Sequence, residues 1–204
     1  DRVFALYQTF PEYKEVNAGM TLAEFKNIFW WEYVHRLWGR LIGLAFFVPF
    51  LWFLIRRQFG WNLAPRLVVL LILGGAQGVL GWYMVQSGLV DIPEVSQYRL
   101  AAHLVLALIL YVALFWTGLQ LRYSDTVIVP DRRISGVRKL TIATVALVSI
   151  TIVSGAFVAG TDAGFAYNSF PLMDGRLVPE GYLPAPWFLG PFEDIATIQF
   201  NHRV

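Results

Sequence analysis

The stretch Glu32-Tyr33-Val34-His35-Arg36-Leu37-Trp38-Gly39-Arg40 sets a carboxylate, an imidazole and two guanidiniums at the mouth of a long apolar run. On a helix, Glu32 and His35 stand three residues apart and share a face, with Arg36 one step round. Ionisable groups at that depth are expensive in lipid and are usually kept because something uses them. A shorter version, Gln199-Phe200-Asn201-His202-Arg203, lies at the other end of the chain. Two His-Arg pairs, each expected to open a helix, suggest a duplicated architecture with a ligand site in each half. The third histidine, His103, follows Arg99 by four residues. The chain has no cysteine, which excludes disulfides, thiolate metal sites, Fe–S clusters and thiol nucleophiles together. A metal-ligating role rests on the histidines alone.

These groups need elements to carry them, and the composition says which kind. Of 204 residues, 57% are hydrophobic and only 15% charged, and the mean hydropathy is +0.55. That balance belongs to a multi-span membrane protein, not a soluble domain. The expected fold is all-α, a polytopic transmembrane helical bundle. Residues 1–20 read as an extramembrane loop, with Pro11, Asn17 and Gly19 as breakers. Thr21-Leu22-Ala23-Glu24 has the form of a capping box, followed by an aromatic run, Phe25 to Trp31, suited to the membrane interface. Four apolar stretches then approach the roughly 20 helical residues that a bilayer takes. They are span A, Leu37–Ile55; span B, Leu67–Val85; span C, Leu100–Leu121; and span D, Leu140–Gly160. Gly74, Gly75, Gly78 and Gly81 in span B have the spacing of a tight helix contact.

The connections carry the topology. Arg56, Arg57 and Arg66 lie between A and B, and Arg122, Arg132, Arg133, Arg138 and Lys139 lie between C and D against Asp125 and Asp131. The B–C link has Arg99, and the long stretch after D has only Arg176 among several acids. The positive-inside rule places the A–B and C–D loops in the cytoplasm or matrix. His35, His103 and His202 are then all expected near the outer face. If the halves are repeats, a span is missing before Asp1 and the body of another lies past Val204, so an internal piece of a protein of about eight spans is expected.

Neutral imidazoles are common axial ligands for heme iron, and facing helices of a bundle can present two across one macrocycle. His35 and His103 are separated by a whole hairpin and can face each other; His202 has no partner within the chain. Arg36, Arg40, Arg99 and Arg203 match the geometry of heme propionates. The same residues have plainer uses. A lone interfacial histidine is often a hydrogen-bonded structural residue, the arginines serve as anchors that snorkel to headgroups, and Glu32 holds Arg36 or orients His35. Trp30, Trp31, Trp38 and Trp82 read as an interfacial belt.

Over its whole length the chain resembles the heme A synthases, membrane enzymes that convert heme O to heme A for cytochrome oxidase. The resemblance is carried by Glu32 to Arg40, by Gln77-Gly78-Val79-Leu80-Gly81-Trp82-Tyr83-Met84-Val85 with Ser87-Gly88-Leu89, and by Ser96-Gln97-Tyr98-Arg99-Leu100-Ala101-Ala102-His103. It continues through Ser154-Gly155-Ala156-Phe157-Val158-Ala159-Gly160, Asp162-Ala163-Gly164, Tyr167-Asn168-Ser169-Phe170-Pro171 and Gln199 to Arg203. Without a cysteine pair, the pattern is similar to the mitochondrial type and its bacterial relatives. The resemblance implies two four-helix halves related by a pseudo-twofold, with residues 1–36 an outer loop and interfacial helix and 37–121 the spans of the substrate-heme half. Residues 122–139 are then an inner basic loop, and 140–204 the start of the heme b half. It also implies oxidation of the C8 methyl of heme O to the formyl of heme A, by successive hydroxylation and loss of water. Glu32 is the implied catalytic residue. His35 and His103 hold the substrate heme, and His202 is one iron ligand of heme b.

The partners it implies are the enzyme supplying heme O, an electron donor, the cytochrome oxidase assembly machinery and the lipid bilayer. A homo-oligomer is left open, and no nucleic acid is expected. The membrane is a bacterial or mitochondrial inner membrane. Two rivals share the bundle. A diheme b-type electron-transfer subunit needs the histidines but gives no reason for a carboxylate one turn before one of them. A proton-coupled transporter favours an inverted repeat with broken midplane helices, whereas here both His-Arg pairs are expected to enter from the outer side.

Overall fold

A computed structural model describes residues 2–60, 62–88, 95–123 and 135–204. Two short helices, α1 (Arg2–Tyr7) and α2 (Pro11–Glu15), precede the long α3 (Leu22–Ile55) and α4 (Leu63–Gly88). Then come α5 (Gln97–Arg122), α6 (Ser135–Gly160), a 3-10 turn at Ala163–Phe165, α7 (Gly190–Glu193) and α8 (Ile195–Arg203). Helices α3 to α6 are each long and apolar enough to cross a bilayer. The chain is a multi-pass, all-helical membrane protein. Arg132, Arg133, Asp125 and Asp131, on which part of the charge reading rests, lie outside the described residues, as does Leu89.

Two compact units divide the chain: Asp1–Val95 with Leu106–Trp116, and Ser96–Val105 with Thr117–Val204. In the first, α3 begins at a capping box. Thr21 Oγ1 accepts from the Glu24 backbone N–H, and Glu24 Oε2 accepts from the Thr21 N–H at 2.8 Å. The helix then runs unbroken through the aromatic segment and span A, which were expected as separate pieces. Nothing in between breaks a helix, and Pro49 lies within it. Lipid favours this continuity, because a backbone group freed there has no water to bond. Counting roughly 20 residues back from Ile55 reaches Arg36, so Glu32 stands about one turn above the apolar stretch and His35 at its edge. The His35-Arg36 pair therefore lies inside a helix and does not open one.

α3 ends in a Schellman turn. Arg57, in the left-handed region at φ 52, donates to Leu54 O, and Gln58 donates to Phe53 O. Phe59 folds back onto Phe50 and Phe53, both at 5.9 Å between ring centroids, closing the hairpin in which α3 packs on α4. Residues 1–20, expected as a loop, contain α1 and α2, whose Phe4 and Tyr7 rings pack on buried Phe25 at 5.1 and 4.9 Å. A Cβ at Gly74, Gly75 or Gly78 would meet nothing within 4 Å, so the tight contact expected for these glycines is not made among the described residues.

The second unit has its core where the start of α5, the end of α6, the 3-10 turn and α8 converge on Ala101, Ala156, Phe157, Ala163 and Ile198. α5 and α6 meet closely here: a Cβ on Gly160 would lie 2.7 Å from Gln97 Cα. Backbone cannot yield as a side-chain tip can, so only glycine fits. Gly160→Ala is expected to cost about 1–3 kcal/mol, seen as a lower melting temperature of the detergent-solubilised protein. Gly78→Ala, with open space around it, is expected to leave the melting temperature unchanged or slightly higher.

Candidate functional site

The functional groups of the first unit lie along α3. Phe25, Phe29 and Tyr33, four residues apart, form an aromatic ladder with centroids 6.0 and 6.2 Å apart. Glu32 sits beside it and is bound to Arg36, one turn on, at 3.0 Å. Their side chains are 51% and 44% exposed, so in water the pair stabilises the helix by at most about 1 kcal/mol. Its geometric effect is larger, because it fixes where the carboxylate points. His35 and Arg40 are exposed on the same helix. His103 and Arg99, near the start of α5, are half-buried in the second unit.

The second unit holds its groups through α8, three stripes of which do three jobs at i, i+4 spacing. The helix starts at Asp194, whose carboxylate accepts from the Thr197 N–H at 2.8 Å. Thr197 and Asn201 face one part of the preceding loop: Thr197 Oγ1 accepts from the Leu183 N–H at 3.0 Å, and Asn201 accepts from the Tyr182 hydroxyl at 3.1 Å. Gln199 and Arg203 face another part. Gln199 Oε1 accepts from the Tyr167 N–H at 3.1 Å, and its Nε2 donates to Tyr167 O at 3.0 Å and Gly164 O at 3.4 Å. Arg203 donates to Ser169 O at 2.7 Å and to Tyr167 O. Ile198 and His202 form the third stripe, with Ile198 in the core and His202 against α6.

At that contact, His202 Nδ1 is 2.8 Å from Ser154 Oγ. A Cβ on Gly155 would come within 3.1 Å of the imidazole Cε1, so the ring rests in a space that glycine leaves. A half-buried imidazole seated this way, with one nitrogen held and no thiolate in the chain, suits a single axial bond to a heme iron. Among the described residues no three His, Cys, Asp or Glu side chains gather as a bare-metal site. The His202-Arg203 pair, expected to open a helix, lies in α8, which already begins at Ile195.

Residues 1–204 match the family model COX15-CtaA, cytochrome oxidase assembly protein. The chain belongs to this family. Among curated relatives, the heme A synthase of Nitrosospira multiformis is 50% identical over 100% of the chain and 58% of its own length. That of Parvibaculum lavamentivorans is 50% identical over 98% of the chain and 58% of its length, and that of Granulibacter bethesdensis 49% over 100% and 54%. The chain thus spans a little over half the length of these COX15-CtaA relatives. No solved structure matches it.

Two features of the site were missed from sequence. One is the use of Gln199, Arg203 and Ser154 as positioning groups, whose partners are 32 to 48 residues away. The other is a second carboxylate near Glu32. Burial pushes the Glu12 carboxyl above its ordinary range; a hydrogen bond from Tyr7 opposes this, and the charge of Glu32 adds to it. Tyr7 in turn accepts from Asn17 at 2.8 Å. The signal lay in Pro11-Glu12-Tyr13, read only as a breaker and its neighbours.

A carboxyl whose pKa rises on folding binds more protons folded than unfolded. Its packing is then strongest below the ordinary value of 4.5 and weakens as pH climbs through the raised one. Amide exchange of residues 2–15, corrected for intrinsic rates, is expected to show protection falling as pH rises above 4.5, with Glu12→Gln flattening the curve. Protection that grows with pH in the unaltered protein would contradict this.

Proposed function

We propose that this chain carries the reacting carboxylate and three of the iron-ligating histidines of a heme A synthase, which oxidises the C8 methyl of heme O to the formyl of heme A. The observation that carries the reading is the Glu32 carboxylate, held by Arg36 and three residues before His35 on one helix, in a chain half identical, end to end, to heme A synthases. An electron-transfer cytochrome has no use for that carboxylate.

In this reading His35 and His103 bind the substrate heme, and His202 binds a heme b. Spans that follow one another through a bilayer alternate in direction, so by sequence order spans A and C start from the same face, the one nearer His35 and His103. That face is the outer one by the charge reading, periplasmic in a bacterium. Gly39 and Gly43 follow His35 at i+4 and i+8, and a Cβ at either meets nothing within 4 Å, which leaves a low surface beside the imidazole for a flat ring. Arg36, Arg40 and Arg99 are the cations proposed for propionates, together with Arg203 through the donors its loop carbonyls leave over. Arg36 aims the Glu32 carboxylate, which takes up or relays the proton released as the methyl carbon is oxidised. Heme b, held by His202, would supply one-electron chemistry, and the basic stretch between spans C and D is proposed to face the inner side.

The test is to purify the whole protein from cells that make heme O and to separate its extracted hemes by chromatography. Heme A is expected in the unaltered protein. Glu32→Gln is expected to retain heme O but lose heme A by about two or more orders of magnitude, and His35→Ala to lose the substrate heme. Unmodified heme b alone in every sample would overturn the proposal in favour of an electron-transfer subunit.

A further inference from the structure

The hydrogen bonds around Ser154 determine which nitrogen of His202 carries the proton. Ser154 Oγ lies 2.9 Å from Thr151 O and 2.8 Å from His202 Nδ1. A carbonyl only accepts, so the single hydroxyl proton goes to Thr151 O, the back-bond that helical serines commonly make. Toward the imidazole, Oγ is then left with only lone pairs. The Nδ1···Oγ contact therefore needs a proton on Nδ1, and a neutral imidazole with Nδ1–H has its lone pair on Nε2.

Gly155 adds a steric condition. A Cβ there would stand 3.1 Å from Cε1, 3.7 Å from Nδ1 and 3.8 Å from Nε2, so even alanine would push the ring away from Ser154 by a few tenths of an ångström. The adjacent pair thus sets two things: Ser154 the tautomer and Gly155 the depth of the ring. The stripe partner Ile198, 2% exposed in the core, prevents α8 from turning to relieve either.

We infer that Ser154 and Gly155 are positioning residues that hold His202 in the Nδ1–H form with Nε2 presented to a ligand. The inference rests on the reading of His202 as an iron ligand only in naming that ligand as heme. The tautomer itself is a property of the unloaded protein. Hydrogen-bond donation from the far nitrogen makes a histidine a stronger donor to iron and fixes its ring plane, and losing such a partner typically costs about 10–100-fold in metal affinity.

The experiment uses the whole protein with 15N-labelled histidine, first unloaded and then titrated with heme b. In the unloaded protein, the 15N shifts of His202, assigned by their loss in His202→Ala, are expected to show Nδ1–H. Ser154→Ala is expected to give a mixture of tautomers at an unchanged melting temperature, and Ser154→Thr to restore the Nδ1–H form. On loading, Ser154→Ala is expected to weaken heme b binding about 10–100-fold and to raise the midpoint potential of what binds. Gly155→Ala is expected to weaken binding while keeping a single tautomer. Nε2–H in the unaltered protein, or a Ser154→Ala protein identical to it in both tautomer and affinity, would overturn the inference. Full heme binding by His202→Ala would instead remove the ligand reading and leave the tautomer result to stand or fall by itself.

Discussion

A buried primary amide in an apolar setting has to find partners for both its oxygen and its nitrogen, because each group left unmatched costs about 1–3 kcal/mol. Gln199, 4% exposed, meets this with three backbone atoms of the loop that precedes α8. The rest of the second unit depends on that match. It fixes the rotation of α8, and at i, i+4 spacing the rotation decides everything else on the helix. Arg203 follows Gln199 onto the loop, Asn201 follows Thr197, and His202 follows Ile198 onto α6. A turn of one residue in one direction would place a guanidinium against Gly155, and in the other an imidazole among carbonyls.

The first unit is organised by a different constraint. α3 has to carry polar groups to the edge of lipid without breaking its backbone ladder, and it does so by extending beyond the bilayer as one helix. The capping box fixes its start, α1 covers Phe25 with Tyr13 of α2 packed behind it, and the Glu32-Arg36 pair neutralises charge locally at the edge of the apolar stretch. Glu12 on α2 lies within electrostatic reach of Glu32, whose charge adds to the upward push that burial gives its carboxyl.

Much of this was legible in the sequence, for reasons that differ by element. The spans were plain because lipid demands long apolar runs, and the capping box because its two residues are local. The union of the interfacial segment with span A was missed because the aromatic run reads as a separate element, although it contains no helix breaker. Residues 1–20 were read as a loop because Pro11 and Gly19 mark boundaries without excluding single helical turns between them. The site was legible as a set of residue types: Glu32, His35, His103 and His202 announce themselves as ionisable or ligating groups next to apolar runs. Their supports do not. The partners of Gln199 and Arg203 are backbone atoms, which carry no side-chain signature, and the bond from Ser154 to His202 joins residues 48 apart.

On the proposed reading α8, held by its loop, delivers the His202 imidazole to a heme iron. The most direct measurement is the electron paramagnetic resonance spectrum of the whole protein with His202→Gly, with and without free imidazole. The low-spin heme signal of this half is expected to disappear in the variant and to return when imidazole fills the space between α8 and Gly155. A low-spin spectrum that survives His202→Gly unchanged, with no response to imidazole, would contradict it.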